Sequence, residues 1–438
     1  MMSHQTLKPS YYNFFFAHPQ NAQQHIAYNA YTNALAVIDA DKYDALQSFI
    51  ENGDDLSDDD FRAQLKRSGF LIDDDVNELE RIRFKMLKSR YNTDAFQLTI
   101  TVTADCNFAC AYCYEKEVIK HEYMTTETAD KIFEIVKMQM PKISLLDVHW
   151  YGGEPLLNMD IILYLSEKFI TLCKEHNVQY KARMVTNGYL LSSEYIEQIN
   201  ASQISMLQIT IDGDKEIHDR MRPLLSGEGS YDVIMKNIAE NIDQLPQISL
   251  RINVDKNNTD AAKKVSQQIK DNGWSHKVFP YLGRIRVDLD DESFTNCYCG
   301  SEFSLEELKY MHELDKDSMS QYPRLKHNYC GADCINSLTL SANGDIYKCW
   351  KDIGIVKNRV GALSMSQLDN ERLFFDYMLY DPTTNETCSQ CKYLPLCMGG
   401  CPLYRIEGVG DTCIKYKYFL NDYINHTVNH ITAQQSAS

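Results

Sequence analysis

Apolar and polar residues along the 438-residue chain change period twice, which divides it into three zones. In the first, residues 1–92, the aromatic and β-branched runs Tyr12–Phe16 and His25–Ile38 read as strands. Helical spacing follows: Asp39–Ile50 sets Tyr43, Leu46 and Ile50 on one face, Asp58–Leu65 gives a second helix and Asp75–Tyr91 a third. Strands with three helices fit a small winged-helix-like module. In the second zone, residues 93–283, six strand-like runs alternate with helix-length segments such as Thr126–Met138 and Ser230–Ile242. The runs are Gln97–Val102, Leu146–Trp150, Tyr180–Val185, Met206–Ile211, Ile248–Val254 and His276–Tyr281. Consecutive βα units predict an α/β fold with a parallel sheet, open or bent into a barrel, and a site on the loops at the strand C-termini. The alternation then stops: 284–327 reads as a bridging region and 328–438 as short segments and turns, Ala342-Asn343-Gly344-Asp345 among them. The polar tail Ala433–Ser438 is expected to fray.

Composition matters here for what it excludes. With 44% hydrophobic and 24% charged residues the chain reads as soluble and globular. No basic stretch followed by an apolar segment opens it, and no run supplies the ~20 apolar residues of a membrane span, so a cytoplasmic location is expected. A net charge of −17 without a basic patch argues against nucleic acid. The fourteen cysteines fall three at 106–113, one at 173 and ten between 297 and 413. In a cytosolic chain such clusters read as metal ligands rather than a disulfide framework.

Directly after the first strand of the second zone stand Cys106, Cys110 and Cys113, a C-x3-C-x2-C spacing. Three thiolates on one tight loop can hold three corners of a 4Fe-4S cube and leave one iron open for chemistry. Zinc, the competing metal, normally takes a fourth Cys or His, and only His121 lies nearby. Gly152-Gly153-Glu154-Pro155 follows the second strand, Thr186-Asn187-Gly188 the third, and Asp212-Gly213 the fourth, with His218, Arg220 and Arg222 downstream.

In this order the motifs resemble the radical S-adenosylmethionine (SAM) superfamily, whose cysteine signature carries an aromatic where Tyr112 stands. The resemblance implies a partial (β/α)6 TIM-like barrel. It implies that Gly152, Gly153, Glu154 and Pro155 meet the methionine amine of SAM, and that Tyr112, Thr210 and Arg222 lie near SAM, with Arg222 toward its carboxylate. It also implies that the reduced cluster cleaves SAM to a 5′-deoxyadenosyl radical, which takes a hydrogen atom from substrate, the electron coming from a reductant of flavodoxin or ferredoxin type. For Tyr112, Thr210 and Arg222 a packed ring or a structural ion pair is the competing reading.

The C-terminal cysteines resemble the SPASM domain: Cys388-x2-Cys391-x5-Cys397-x3-Cys401, then Cys413, with Cys349 upstream after Gly344. That resemblance implies two auxiliary 4Fe-4S clusters, three in all. Cys330, Cys334, Cys349 and Cys401 would serve the first, and Cys388, Cys391, Cys397 and Cys413 the second. Which of Cys330 and Cys334 is the motif cysteine stays open, and structural zinc is the alternative. Cys297 and Cys299 have no place in the pattern, while Cys173 reads as a small buried hydrophobe.

Relatives with this domain mostly modify peptides or proteins. The favoured reading is a maturase that installs a crosslink, thioether before carbon–carbon, in a ribosomally made precursor peptide. A sulfatase-maturing enzyme that forms formylglycine is the alternative, but such enzymes carry an Asp, proposed as base, where this chain has Trp350, its first Asp being Asp352. The N-terminal module would capture a leader peptide by adding a strand to its sheet, or else be a packing appendage. A haem- or cofactor-modifying enzyme is a third reading. A non-enzymatic iron–sulfur electron carrier is a fourth, opposed by the SAM motif at Gly152–Pro155. No catalytic side chain is assigned.

Overall fold

The computed structural model describes residues 6–116, 121–286, 296–314, 322–365, 367–409 and 412–437, which form two compact units of interleaved segments. The first comprises residues 1–90, 300–329 and 380–438. Its N-terminal part contains Leu7–Pro9 (β1), Asn13–Ala17 (β2), Gln24–Asn29 (β3), Ala34–Asp39 (β4), Ala40–Asn52 (α1), Asp59–Ser68 (α2), Leu71–Asp73 (β5) and Glu78–Arg90 (α3). β2, β3 and β4 form an antiparallel sheet, and β1 pairs with β5. The expected single strand His25–Ile38 is two. Asn29 Oδ1 accepts the N–H groups of Tyr31 (2.9 Å) and Thr32 (2.8 Å), and Asn33 adopts φ +63°, so the chain reverses between β3 and β4.

Side-chain alternation explains how this sheet is covered. Phe14 and Phe16 join a core with Tyr12, Ile26 and Tyr28, into which α3 inserts Ile82 and Met86. Phe15 points the other way, to Ala27, Ile38 and the α1 residue Leu46. The first core does not end with the N-terminal module: Leu394, Leu396, Leu420, Ile424 and Val428 belong to it. Among the described residues the C-terminal helix runs on to Ala437 rather than fraying at Ala433, in keeping with its Ala and Gln content.

The second unit, residues 91–299 and 330–379, holds the barrel strands Ala95–Thr101 (β6), Leu145–Tyr151 (β7), Gln179–Val185 (β8), Ile204–Thr210 (β9), Gln247–Val254 (β10) and Val278–Arg284 (β11). All six are parallel, in chain order, with helices in every connection. This is the expected α/β barrel architecture. Leu98, Ile100, Leu146, Val148, Ile209, Leu250 and Ile252 are essentially fully buried, as the two covered faces of a parallel sheet require. Ser337–Leu340 (β12) adds parallel to the free edge of β6, and Asp345–Tyr347 (β13) and Gly361–Ala362 (β14) follow antiparallel, giving nine strands. The turn between β12 and β13 is the predicted Ala342–Asp345, with Gly344 at φ +88°. Cys173 is buried in the helix Met159–His176. Among the described residues no helix is long and apolar enough to cross a membrane.

Candidate functional site

The three cysteines of the first motif follow β6, and the backbone holds their loop from two sides. Ala109 and Ala111 N–H donate to the carbonyls of Pro223 (2.9 Å) and Met221 (3.0 Å), while Leu225 N–H donates to Asn107 O at 3.0 Å. On the other side Gly153 N–H donates to Thr103 O (3.1 Å) and Glu154 N–H to Asp105 O (2.9 Å). This approach requires glycine: a Cβ on Gly153 would stand 2.3 Å from Asp105 O, and one on Gly152 2.6 Å from Thr103 O. Burial pushes the Cys106 thiol up to about 12 and that of Cys113 to about 11, and each feels the Cys110 charge. A group that removes these protons must therefore be a strong Lewis acid.

Glu154 is fully buried. Its Oε1 accepts Thr186 O–H (2.8 Å) and Leu156 N–H (3.1 Å), and Oε2 accepts Asn187 N–H at 2.7 Å. Burial pushes its carboxyl up to about 7 against these donors. Asn187 also donates from Nδ2 to Asn107 Oδ1 at 2.7 Å, so the third strand end, the Gly-Gly strap and the cysteine loop form one network.

A second network lies across the loop. The Tyr112 hydroxyl donates to Asp212 Oδ2 and accepts from Arg222 Nη1 (2.8 Å) and Asn253 Nδ2 (2.9 Å), and Asn253 N–H donates to Asp212 Oδ1 at 3.0 Å. Burial alone would lower the Arg222 pKa, but Cys110, Tyr112 and Asp212 hold it above its ordinary value. Arg222 Nε is buried with no hydrogen-bond partner, an unmet donor beside the cysteines. His218 is fully buried and neutral: Nδ1 accepts Asp212 N–H (3.2 Å), Nε2 faces Ser230 Oγ (3.1 Å), and burial lowers its pKa to about 3. Thr210 ends β9, buried.

The remaining cysteines divide between the units. Cys330, Cys334 and Cys349 lie in the barrel unit, where the buried Lys348 Nζ donates to Cys334 O at 2.6 Å and Ser337 O at 2.8 Å. Burial lowers the Lys348 pKa to about 8. Cys388, Cys391, Cys397, Cys401 and Cys413 lie in the other unit. There Cys391 N–H donates to Cys388 O (3.1 Å), Lys417 Nζ donates to Cys413 Sγ (3.3 Å), and Gly400 leaves no room for a Cβ, which would stand 2.4 Å from Thr412 O. The thiols of Cys391 and Cys397 are both raised, by burial first and then by neighbouring cysteines of the same set. Cys297 and Cys299 flank Tyr298, whose hydroxyl meets Thr259 Oγ1 at 2.6 Å.

None of the fourteen cysteines forms a disulfide. Among the described residues no three His, Cys, Asp or Glu side chains converge as a single ion requires. The all-thiol donor set, the buried cations beside it and the unmet Arg222 Nε fit an anionic cluster with a carboxylate ligand nearby.

Sequence reasoning did not single out Asn253, Lys348 or the pairing of Tyr112 with Asp212. Asn253 takes a polar position of the alternating run Ile248–Val254, as Ser249 and Arg251 do, so nothing local set it apart. Nothing local marks Lys348, whose burial depends on β12 joining β6.

Residues 100–274 match the family described as the radical SAM superfamily. The chain is 22% identical to a cysteine-type anaerobic sulfatase-maturating enzyme of Clostridium novyi (strain NT) over 340 residues, 68% of this chain and 85% of that protein. It is 26% identical to a GTP 3',8-cyclase of Sulfurimonas denitrificans over 173 residues, 39% of this chain and 49% of that enzyme. Among solved structures, native anSMEcpe with bound AdoMet matches with a TM-score of 0.59 at 18% identity, over 76% of this chain and 99% of that one. Streptococcus suis SuiB bound to precursor peptide SuiA matches with a TM-score of 0.53 at 14% identity, over 94% of this chain and 99% of that one.

Proposed function

The chain carries a radical SAM domain and is an enzyme related to anaerobic sulfatase maturases and peptide-modifying enzymes, and from that premise we propose that it crosslinks a ribosomally made precursor peptide. The bond favoured is a thioether. The observation that carries the reading is coverage: the likeness to SuiB extends over 94% of the chain, against 76% for anSMEcpe. A peptide substrate accords with the peptides bound in both sets of neighbours.

Cys106, Cys110 and Cys113 would hold a 4Fe-4S cluster, their loop fixed by the Gly152-Gly153 strap, and with SAM that cluster would supply hydrogen-atom abstraction from the substrate. Glu154 has an open lone pair on Oε2, suited to an ammonium. Arg222, aimed by Tyr112 and Asp212, offers its cation to a carboxylate. We assign Cys330, Cys334, Cys349 and Cys401 to one auxiliary cluster and Cys388, Cys391, Cys397 and Cys413 to another, and a one-electron reductant of flavodoxin or ferredoxin type supplies the electron.

The sulfatase-maturase reading keeps the support of the relative matched over 85% of its length. Against it stands the neighbourhood of Cys349. Trp350 stacks on Tyr151 with ring centroids 6.0 Å apart, and Asp352 is buried, accepting Tyr377 O–H and Asn358 Nδ2–H, each at 2.7 Å. A carboxylate so engaged is not free to take a substrate proton. The test is anaerobic turnover with SAM and the peptide encoded beside the gene. A product lighter by two hydrogens per ring supports crosslinking, replacement of a cysteine thiol by an aldehyde supports the alternative, and no 5′-deoxyadenosine refutes both.

A further inference from the structure

Lys348 is an expensive residue to bury. It is 3% exposed, its ammonium donates to two neutral carbonyls, Cys334 O (2.6 Å) and Ser337 O (2.8 Å), and the Phe374 ring lies 5.8 Å away. A buried cation is tolerated when negative charge faces it. The ionisable groups it feels are Cys334, Asp333 and Cys330, and Asp333 Oδ1 accepts Cys330 N–H at 3.3 Å. The same arrangement recurs at each cysteine set of a chain with net charge −17: Arg222 stands beside Cys110, Lys348 beside Cys330 and Cys334, and Lys417 on Cys413 at 3.3 Å. The three differ in burial, since Arg222 and Lys348 are enclosed and Lys417 is exposed to solvent.

We infer that Lys348 raises the reduction potential of the iron–sulfur cluster held by Cys330, Cys334 and Cys349. The inference rests on the cluster assignment proposed above. Reduction of a 4Fe-4S cluster adds one electron and one negative charge and moves no other atom. A positive charge fixed beside the ligand loop in a poorly polarisable interior stabilises the reduced form. Lys348 is thus a positioning charge and takes no part in bond making.

The experiment is an EPR-monitored redox titration of the anaerobically reconstituted holoenzyme, wild type against Lys348→Gln and Lys348→Arg, with iron counted in each. Glutamine keeps a donor for the two carbonyls and removes the charge. It should shift the midpoint of this cluster at least tenfold toward the oxidised form, about 59 mV for a one-electron couple. Arginine keeps the charge and should leave the midpoint near wild type. An unshifted Lys348→Gln midpoint, or a Lys348→Arg midpoint displaced as far as that of Lys348→Gln, overturns the inference while leaving the cluster assignment standing. A wild-type protein with zinc or no metal at these thiols overturns the assignment beneath it.

Discussion

Replacing Gly153 with Ala tests whether the cysteine loop is held by backbone contact with the Gly-Gly strap. The new Cβ would lie 2.3 Å from Asp105 O, 2.7 Å from Asp105 C and 3.0 Å from Ala104 O. These are backbone atoms one and two residues before Cys106, so relief requires parting the two segments by about 1 Å, the cost of overpacking being about 1–3 kcal/mol. Such a shift stretches the bonds Gly153 N–H to Thr103 O (3.1 Å) and Glu154 N–H to Asp105 O (2.9 Å) past useful length. Each contributes about 0.5–1.5 kcal/mol net, which brings the total to about 2–6 kcal/mol. At the lower end that is still a loss of roughly 30-fold in hydrogen-exchange protection for the two amides. The assay is hydrogen exchange of the peptide spanning Tyr151–Leu156, with iron content and SAM affinity measured on the same protein. Iron retention should fall because Cys106 moves with Asp105. Unchanged protection of both amides, together with full iron and unaltered SAM affinity, would refute the close-approach argument.

Three further outcomes are expected. Replacing Cys106, Cys110 and Cys113 together with Ala should remove about a third of roughly twelve irons and all SAM cleavage, and residual cleavage would remove the loop from the catalytic role. For His218, with a pKa lowered to about 3 from an ordinary 6.5, the native state resists a proton that the unfolded chain accepts, so stability is full above 6.5 and is lost as pH falls toward 3. Urea unfolding of the apoprotein should therefore lose roughly 2 kcal/mol less between pH 6.5 and 4.5 in His218→Gln than in wild type, and equal losses would contradict a neutral buried imidazole. Finally, Ala40 N–H donates to Gln23 O at 2.9 Å, and by alternation the N–H groups of Leu35 and Val37 face away from β3, toward the outer edge of the sheet. Val37→Pro should lower leader-peptide affinity at least about tenfold with iron content intact, and undiminished binding would exclude strand addition at β4.

The barrel was legible because its signal is local and repeated. Ile248–Val254 alternates apolar and polar residues strictly enough to be a strand by itself, and Thr126–Met138 carries its own cap, since Thr125 Oγ1 accepts Thr128 N–H at 3.3 Å. The cysteine motif and Gly152–Pro155 were legible for the same reason, each being a short run at a strand end. What escaped was whatever depends on partners distant in sequence. The Tyr112 hydroxyl meets residues 100, 110 and 141 positions away, and no spacing rule reports that. The division of the third zone escaped as well. Ser337–Leu340 reads as one more short apolar segment, and only its register with Gln97–Ile100 makes it a barrel neighbour. The turn at Ala30–Asn33 was overlooked because Ala, Tyr and Thr continue the β-forming character of their flanks and leave only Asn29 and Asn33 as turn residues.

The shared core of the first unit changes how the N-terminal module can be probed. Tyr12, Ile26, Tyr28, Ile82 and Met86 pack with Leu394, Leu396, Leu420, Ile424 and Val428, and Cys388 packs against the same cluster. Arg83 pairs with Asp381 at 2.8 Å, and Tyr11 O–H donates to Gln390 O at 2.6 Å, between Cys388 and Cys391. Deleting residues 1–92 would therefore uncover a large part of the apolar lining of a cysteine set, and lost activity would not report on peptide capture. The dependence also runs the other way. Metal binding by cysteines of an otherwise loop-rich segment is folding free energy for that segment. Because the segment supplies Leu394, Leu396 and Met398 to the core beneath β2 and β3, loss of metal at Cys388–Cys413 should loosen the sheet whose outer edge β4 provides. The proposed peptide recognition and the proposed metal site would then rest on one set of packed side chains, and point substitution at β4 is the perturbation that separates them.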